Sequence, residues 1–368
     1  LNMNTVAAIV LMSMVGSSTT STSISINATS FFLRATDLNA DGNKTFEFLQ
    51  PMLLYVSRHD ANQKYDKYIR FVDEKSGIFN TAWGAAQSNV VGGTKKPVFP
   101  DGKTSITIQN MNERTFDDTG LPAVFYFVDA SLGALVYEAT ESIEKRRIPE
   151  GENMTVTVMS ASMTISLFDF KFNKGSSLRL TAGGAAEVES DEYELITFDN
   201  SVMDSNSWAN IPLPIVTVTS NDMDEYQMSV STKQAERSQA PVGVRTLVMS
   251  PGFPFDTIPS FSHKYSFQME TTADVYIEYV GNLRLTSSSL EVIGSGKDGK
   301  QTYLQEYTNE SWKTRSSNAS FFAQTIAVNI KHATGTQPGV LIRIYTQASG
   351  SIFSFYAILV LIAAHLNI

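Results

Sequence analysis

The chain contains no cysteine. Disulfide staples, thiol nucleophiles and cysteine-held zinc or iron–sulfur centres are therefore excluded, and cysteine usage says nothing about compartment. Charge is missing from both ends: no Asp, Glu, Lys or Arg precedes Arg34, and none follows Arg343. Histidine is scarce. His59, His263, His332 and His365 are the only four, and no two stand at ligand spacing. No G-x-S-x-G, H-E-x-x-H or cysteine–histidine arrangement occurs, so the sequence carries no familiar catalytic signature. Lys145-Arg146-Arg147 is the only basic run and the net charge is −9, which gives no electrostatic footprint for nucleic acid. Long amphipathic helices are missing too; Glu138 to Arg147 has room for a few helical turns.

What remains is ordinary globular material. The 368 residues are 42% apolar and 18% charged, enough for two or three domains and against wholesale disorder. Short alternating runs bounded by Gly, Pro, Asn and Asp recur throughout: Met52 to Val56, Tyr68 to Val72, Ser105 to Ile108, Ala123 to Val128, Met154 to Met159, Met163 to Phe172 and Ile215 to Val218. That pattern predicts an all-β fold of antiparallel strands. Ile148-Pro-Glu-Gly151 punctuates the chain, and Ala235 to Val242 reads as a linker. The units expected are a first β-sandwich over 27–130, a middle β domain over 148–234 and a last β-sandwich over 242–346. The middle strands can build a small sandwich of their own or complete a neighbour.

The two ends are apolar. Val6 to Val15 is a ten-residue run followed by Gly16-Ser17-Ser18, as in a secretory signal over 1–18, although the basic n-region is missing. Ile352 to Leu366 is apolar almost throughout, but too short for the roughly twenty residues of a spanning helix. Small residues before a short apolar tail over 348–368 match a GPI-attachment signal, with Ala348, Ser349 and Gly350 as candidate attachment residues. A short transmembrane helix is the runner-up. Five glycosylation sequons, at Asn27, Asn43, Asn153, Asn309 and Asn318, fit the secretory reading.

Two motifs invite chemistry and fail on inspection. Asp37, Asn39, Asp41 and Gly42 stand as in an EF-hand loop, but Phe48 occupies the position of the bidentate Glu. Gly294 to Lys300 satisfies most of a P-loop, but Gln301 replaces the magnesium-ligating Ser/Thr and no crossover helix follows, so a Gly-rich hairpin is expected. No cofactor is expected.

The stretch around which the chain is organised is Val248 to Phe267, an apolar lead-in, a Ser-Pro-Gly-Phe-Pro turn, a loop and an alternating strand. It resembles the opening of a CUB domain. Asp274 to Tyr279, Leu290-Glu-Val292 and Val340 to Tyr345 follow in the order of that module, and Tyr65 to Asp73 with Lys103 to Ile108 and Gly120 to Phe127 resembles a second copy. With no cysteine and an apolar segment at each end, the chain resembles the nematode CUB-like family of secreted or surface proteins. That resemblance implies two or three CUB-like, jelly-roll-type sandwich modules in tandem and a role in the innate response to pathogens. Some CUB domains hold calcium beside the Tyr-Asp-Tyr strand; the resemblance marks Asp60, Asp66 and Asp73 as metal candidates. The expected function is non-enzymatic: a surface-tethered recognition or adhesion protein that binds an extracellular protein or glycan and meets the membrane through its C-terminal anchor. The alternatives are a secreted hydrolase with an unrecognised carboxylate pair, and a calcium-dependent adhesion module.

Overall fold

A computed structural model describes residues 22–35, 43–57, 69–73, 76–87, 94–110, 123–150, 155–188, 190–199, 204–221, 224–235, 239–251, 253–254, 261–281, 289–307, 316–332 and 339–348. The Asp37–Asp41 stretch, Asp60, Asp66, Asn153, Asn309, Ser349, Gly350 and both apolar terminal runs lie outside the described residues.

The fold is all-β, built from antiparallel sheets with few exceptions to that pairing. The first unit comprises β1 (Thr22–Ile26), β2 (Ser30–Arg34), β3 (Asn43–Ser57), β4 (Ile69–Asp73), β5 (Ile78–Thr81), the short helix α1 (Ala82–Gln87), β6 (Lys103–Asn110) and β7 (Val124–Asp129). Its sheet runs β2-β7-β3-β6-β4-β5, with β1 parallel to the first half of β3. The ladder of β3 shifts register between Glu47 and Met52, around Pro51, which has no N–H to donate. Phe46, Phe48, Met52, Leu54 and Val56 keep one parity across that shift and join Phe31, Phe71, Phe125 and Phe127 in a single core.

The middle unit is a sandwich of its own. Its strands are β8 (Leu135–Glu138), β9 (Glu144–Ile148), β10 (Val156–Met159), β11 (Ile165–Lys171), β12 (Leu178–Ala182), β13 (Glu194–Phe198), β14 (Trp208–Ile211), β15 (Ile215–Ser220) and β16 (Tyr226–Ser231). One sheet is β13-β12-β15-β10-β8, the other β14-β11-β16-β9, and their inner faces share a core containing Ile165, Leu180, Phe170, Phe198 and Val218. Two expectations change here. The segment given room for helix, Glu138 to Arg147, contains the last residue of β8 and most of β9. The sandwich therefore begins at Leu135 rather than at 148. The physical reason is local: Glu144–Ile148 buries alternate residues against β16, a period of two that helix cannot use.

The last unit contains β17 (Arg245–Met249), β18 (Phe261–Gly281), β19 (Ser289–Ser295), β20 (Gln301–Tyr307), β21 (Ser316–His332) and β22 (Val340–Ala348). These six form one sheet, β17-β22-β18-β21-β19-β20. The long pair β18 and β21 shifts register between Gln268 and Ala273, so β22 pairs only the second half of β18 and β19 only the far half of β21. Val248, Ile277 and Ile342 from one end and Leu290, Val292 and Val328 from the other enter one core. The expected linker is partly absorbed: Ala240 is buried and bridges Met269.

Two joints tie the units together. At the first, Tyr55, Tyr126 and Val128 pack against Met159 and Ile215. Lys95 meets Glu138 at 2.6 Å with its side chain 2% exposed, and Ser57 donates to the other Glu138 oxygen at 2.6 Å. Gly184 lies where a Cβ would come within 2.5 Å of the Tyr126 ring; Ala185 N–H donates to the Tyr126 hydroxyl at 3.0 Å. At the second joint, arginines cap the exposed carbonyl row of the edge strand β13, a row otherwise open to a foreign strand. Arg343 donates to the carbonyls of Leu195 and Glu194, both at 2.7 Å, and to Glu278 at 3.0 Å. Arg245 donates to the Thr197 carbonyl at 2.9 Å and pairs with Asp199.

Candidate functional site

A cleft of 180 Å³ opens beside the second joint, walled by Thr164, Asn210 and Gln234 of the middle unit and by Pro251, His263 and Tyr265 of the last. Strand alternation puts it there. His263, Tyr265 and Phe267 share one face of β18 at a spacing of two, and the stripe runs from surface to core. Phe267 is buried and meets Trp208 edge-on, with ring centres 5.5 Å apart. Tyr265 is half-buried, and its hydroxyl accepts from Trp208 Nε1 at 2.8 Å. His263 lies beside it, rings 6.5 Å apart. Thus the buried tryptophan holds the tyrosine, and the tyrosine supports the histidine.

The opposite wall is equally fixed. Asn210 Oδ1 accepts from Ser166 Oγ at 2.8 Å and from Ala235 N–H at 2.9 Å, while Nδ2 donates to the Ala235 carbonyl at 3.3 Å. Burial pushes the Tyr265 phenol up, opposed by its bonds to Thr246 and Trp208, so the ring stays neutral at physiological pH and offers a hydrogen-bonding platform. The described lining joins the aliphatic side chains of Leu247, Val248 and Met249 and two prolines to amide, hydroxyl, imidazole and phenol groups, and it contains no carboxylate. Drug-sized ligands occupy pockets of about 300–1,000 Å³. This cleft suits one side chain or one sugar ring.

The residues singled out from sequence are scattered. Asp73, the described member of the metal trio, is buried; Lys103 Nζ lies 2.8 Å from its carboxylate and Ser76 Oγ donates at 2.5 Å. Among the described residues no group of three His, Asp or Glu could hold a metal ion. Asn27, Asn43 and Asn318 are all exposed, at the β1–β2 connection, the start of β3 and within β21. Ala348 ends β22 and pairs with Ala273 in the sheet. The Gly-rich run is a hairpin between β19 and β20, closed by Gly296 N–H donating to the Lys300 carbonyl at 2.8 Å, with Gly299 at φ +75°. Asn43 to Phe48 is strand, and Phe48 points into the core where an EF-hand would need its Glu. Sequence reasoning missed His263 and Tyr265 as a pair; the signal was their alternation with Phe267 just after the organising turn.

No protein-family model and no curated protein matches the chain. Among solved structures it is similar to the CUB1-EGF-CUB2 domains of rat MASP-1, at 9% identity over 57% of this chain and 99% of that one, with a TM-score of 0.23. The corresponding human MASP-1/3 domains match at 10% identity, over 56% of this chain and 94% of theirs, with a TM-score of 0.23. The extracellular region of zebrafish Gpr126/Adgrg6 matches at 10% identity over 58% of this chain and 37% of that one, with a TM-score of 0.19.

Proposed function

We propose that the chain is a non-enzymatic extracellular recognition or adhesion protein, tethered at the cell surface, which takes a side chain or sugar ring of its ligand into the cleft beside Tyr265. The observation that carries this reading is the cleft's lining, an aliphatic floor of Pro212, Leu247, Val248 and Met249 edged by the held Tyr265 ring and the Asn210 and Gln234 amides. Tyrosine and amide side chains recognise by contact area and hydrogen bonds at low conformational cost. The exposure of Asn27, Asn43 and Asn318 supports a glycosylated surface chain. Resemblance to the nematode CUB-like family adds the innate response to pathogens as a setting for such recognition.

The test has two stages. The full chain, internally tagged, is expressed in animal cells, and intact cells are treated with phosphatidylinositol-specific phospholipase C. Release of a product that shrinks on deglycosylation is the expected result; retention on the surface replaces the lipid anchor with a short helix, and an unglycosylated intracellular product overturns the extracellular reading. The released protein is then applied to glycan and secreted-protein arrays beside Tyr265→Ala and His263→Ala. Spots that both variants lose support the cleft. Spots indifferent to both refute it.

A further inference from the structure

The second half of β18 reads Asp274-Val-Tyr-Ile-Glu-Tyr279, and alternation sends Val275, Ile277 and Tyr279 into the core. The other face carries Asp274, Tyr276 and Glu278. The two acids on that face are treated differently. Glu278 is matched by Arg343 at 3.0 Å. Asp274 is 4% exposed, yet neither of its carboxylate oxygens has a hydrogen-bond partner. An enclosed, unpartnered carboxylate is costly, and folds keep such groups chiefly where function requires them.

Its surroundings indicate what it is kept for. Across the strands, Asp274 is paired in register with Phe322 on one side and Gln347 on the other. Phe322 is 57% exposed and Tyr276 41% exposed, large rings left at the surface beside an enclosed carboxyl group. Tyr276 also lies 5.8 Å from the Tyr345 ring. The guanidinium of Arg245, 5.5 Å from the Tyr345 ring, is already committed to Thr197, Asp199 and Asp204. A carboxylate among aromatic faces is the chemistry that receives an organic cation. Calcium needs several oxygen ligands, and among the described residues no group of three His, Asp or Glu could hold a metal ion.

We propose that Asp274, Tyr276 and Phe322 form a receptor site for an arginine or lysine side chain of a partner protein, the two exposed rings moving aside to admit it. The net charge of −9 favours a basic partner. The site is separate from the cleft beside Tyr265 and deepens the recognition reading, on which it rests.

The probe is a dye-labelled, end-blocked Gly-Gly-Arg-Gly-Gly peptide, with lysine and norleucine counterparts, titrated into the full chain and followed by fluorescence anisotropy. The arginine and lysine peptides are expected to saturate, with norleucine about tenfold weaker or worse. Asp274→Asn should lose about tenfold or more, and Phe322→Ala with Tyr276→Ala several-fold. Asp274→Asn should also melt at the same temperature as the wild type or higher, because neither carboxyl oxygen makes a hydrogen bond that the change would lose; a structural carboxylate gives the opposite. Equal binding by Asp274→Asn, or no saturation up to about 10 mM of either basic peptide, overturns the proposal. Calcium binding by calorimetry that Asp274→Asn abolishes overturns it in favour of a metal. Asp274-dependent binding of phosphatidylcholine vesicles overturns the protein partner. Surface release and Tyr265-dependent binding are unaffected by these outcomes, so failure here leaves the recognition reading standing.

Discussion

Glu187 offers a test of the first joint by pH alone. It ends a 3-10 turn, Ala185–Glu187, that docks on the first unit through Ala185 N–H to Tyr126 and Ala186 N–H to Ser30 Oγ at 2.7 Å. The residue is half-buried, but its Oε2 is enclosed and has no hydrogen-bond partner. Burial pushes the carboxyl up from 4.5 to about 7, opposed by hydrogen bonding to the backbone of Glu187 and Gly184. The groups facing it are the phenols of Tyr126 and Tyr193, with Glu192 next to the latter. An acid whose pKa is raised on folding holds its proton more tightly in the folded chain. Its penalty is therefore absent below about pH 4.5, grows as pH rises, and is complete above about pH 7. The full shift corresponds to about 3 kcal/mol, and solvent reaching a half-buried group lowers this to about 1–3 kcal/mol. Glu187→Gln keeps the shape and removes the titration. Denaturant unfolding between pH 4 and 8.5 (about the span of the shift) should show equal stability at the acid end and a more stable variant at the alkaline end. A variant that tracks the wild type at every pH, or is less stable above neutrality, refutes the reasoning.

Three further perturbations address the joints. Glu138→Ala leaves Lys95 buried without its counter-charge and should cost about 3–5 kcal/mol by denaturant unfolding, whereas Lys95→Met combined with Glu138→Leu should recover most of it. Gly184→Ala forces a Cβ against Tyr126 and Ser30 Oγ and should cost about 1–3 kcal/mol; since Gly184 has an extended backbone at φ −92°, a smaller residue at 126 should relieve the Tyr126 share of it in a double-mutant cycle. Arg343→Lys keeps the charge but loses the fork that spans two carbonyls, so it should lower stability by about 1–3 kcal/mol and speed proteolysis between the middle and last units.

The period-two runs were legible because burial imposes alternation on any strand with one wet face. Ile215 to Val218 and Val340 to Tyr345 appear in the structure at the positions the sequence marked. The beginning of the middle sandwich was not legible. β8 has four residues and pairs in parallel with β10, and so short a strand carries no periodicity until its partner is known. The same applies to Glu138: beside Lys145 to Arg147 it reads as surface charge, and only the approach of Lys95 from forty-three residues upstream makes it a buried ion pair. Asp274 was hidden for the converse reason. It occupies the outward register of a strand whose inward register is apolar, which predicts solvent, and the sequence does not show that Phe322 and Gln347 flank it.

The charged residues at the second joint tie protection of a sheet edge to docking of the last unit. An edge strand such as β13 attracts a further strand from any source, and in the middle sandwich that edge is occupied by guanidinium groups from β17 and β22. Because the arginines approach from the last unit, the edge is protected only when that unit is docked, and the same docking forms the cleft beside Tyr265. Protection of the edge and construction of the cleft are therefore one event. Arg343→Ala should then produce two effects together, an increase in self-association and a loss of Tyr265-dependent binding; an aggregating variant that still bound ligand with full affinity would separate the two roles and end this account of the joint.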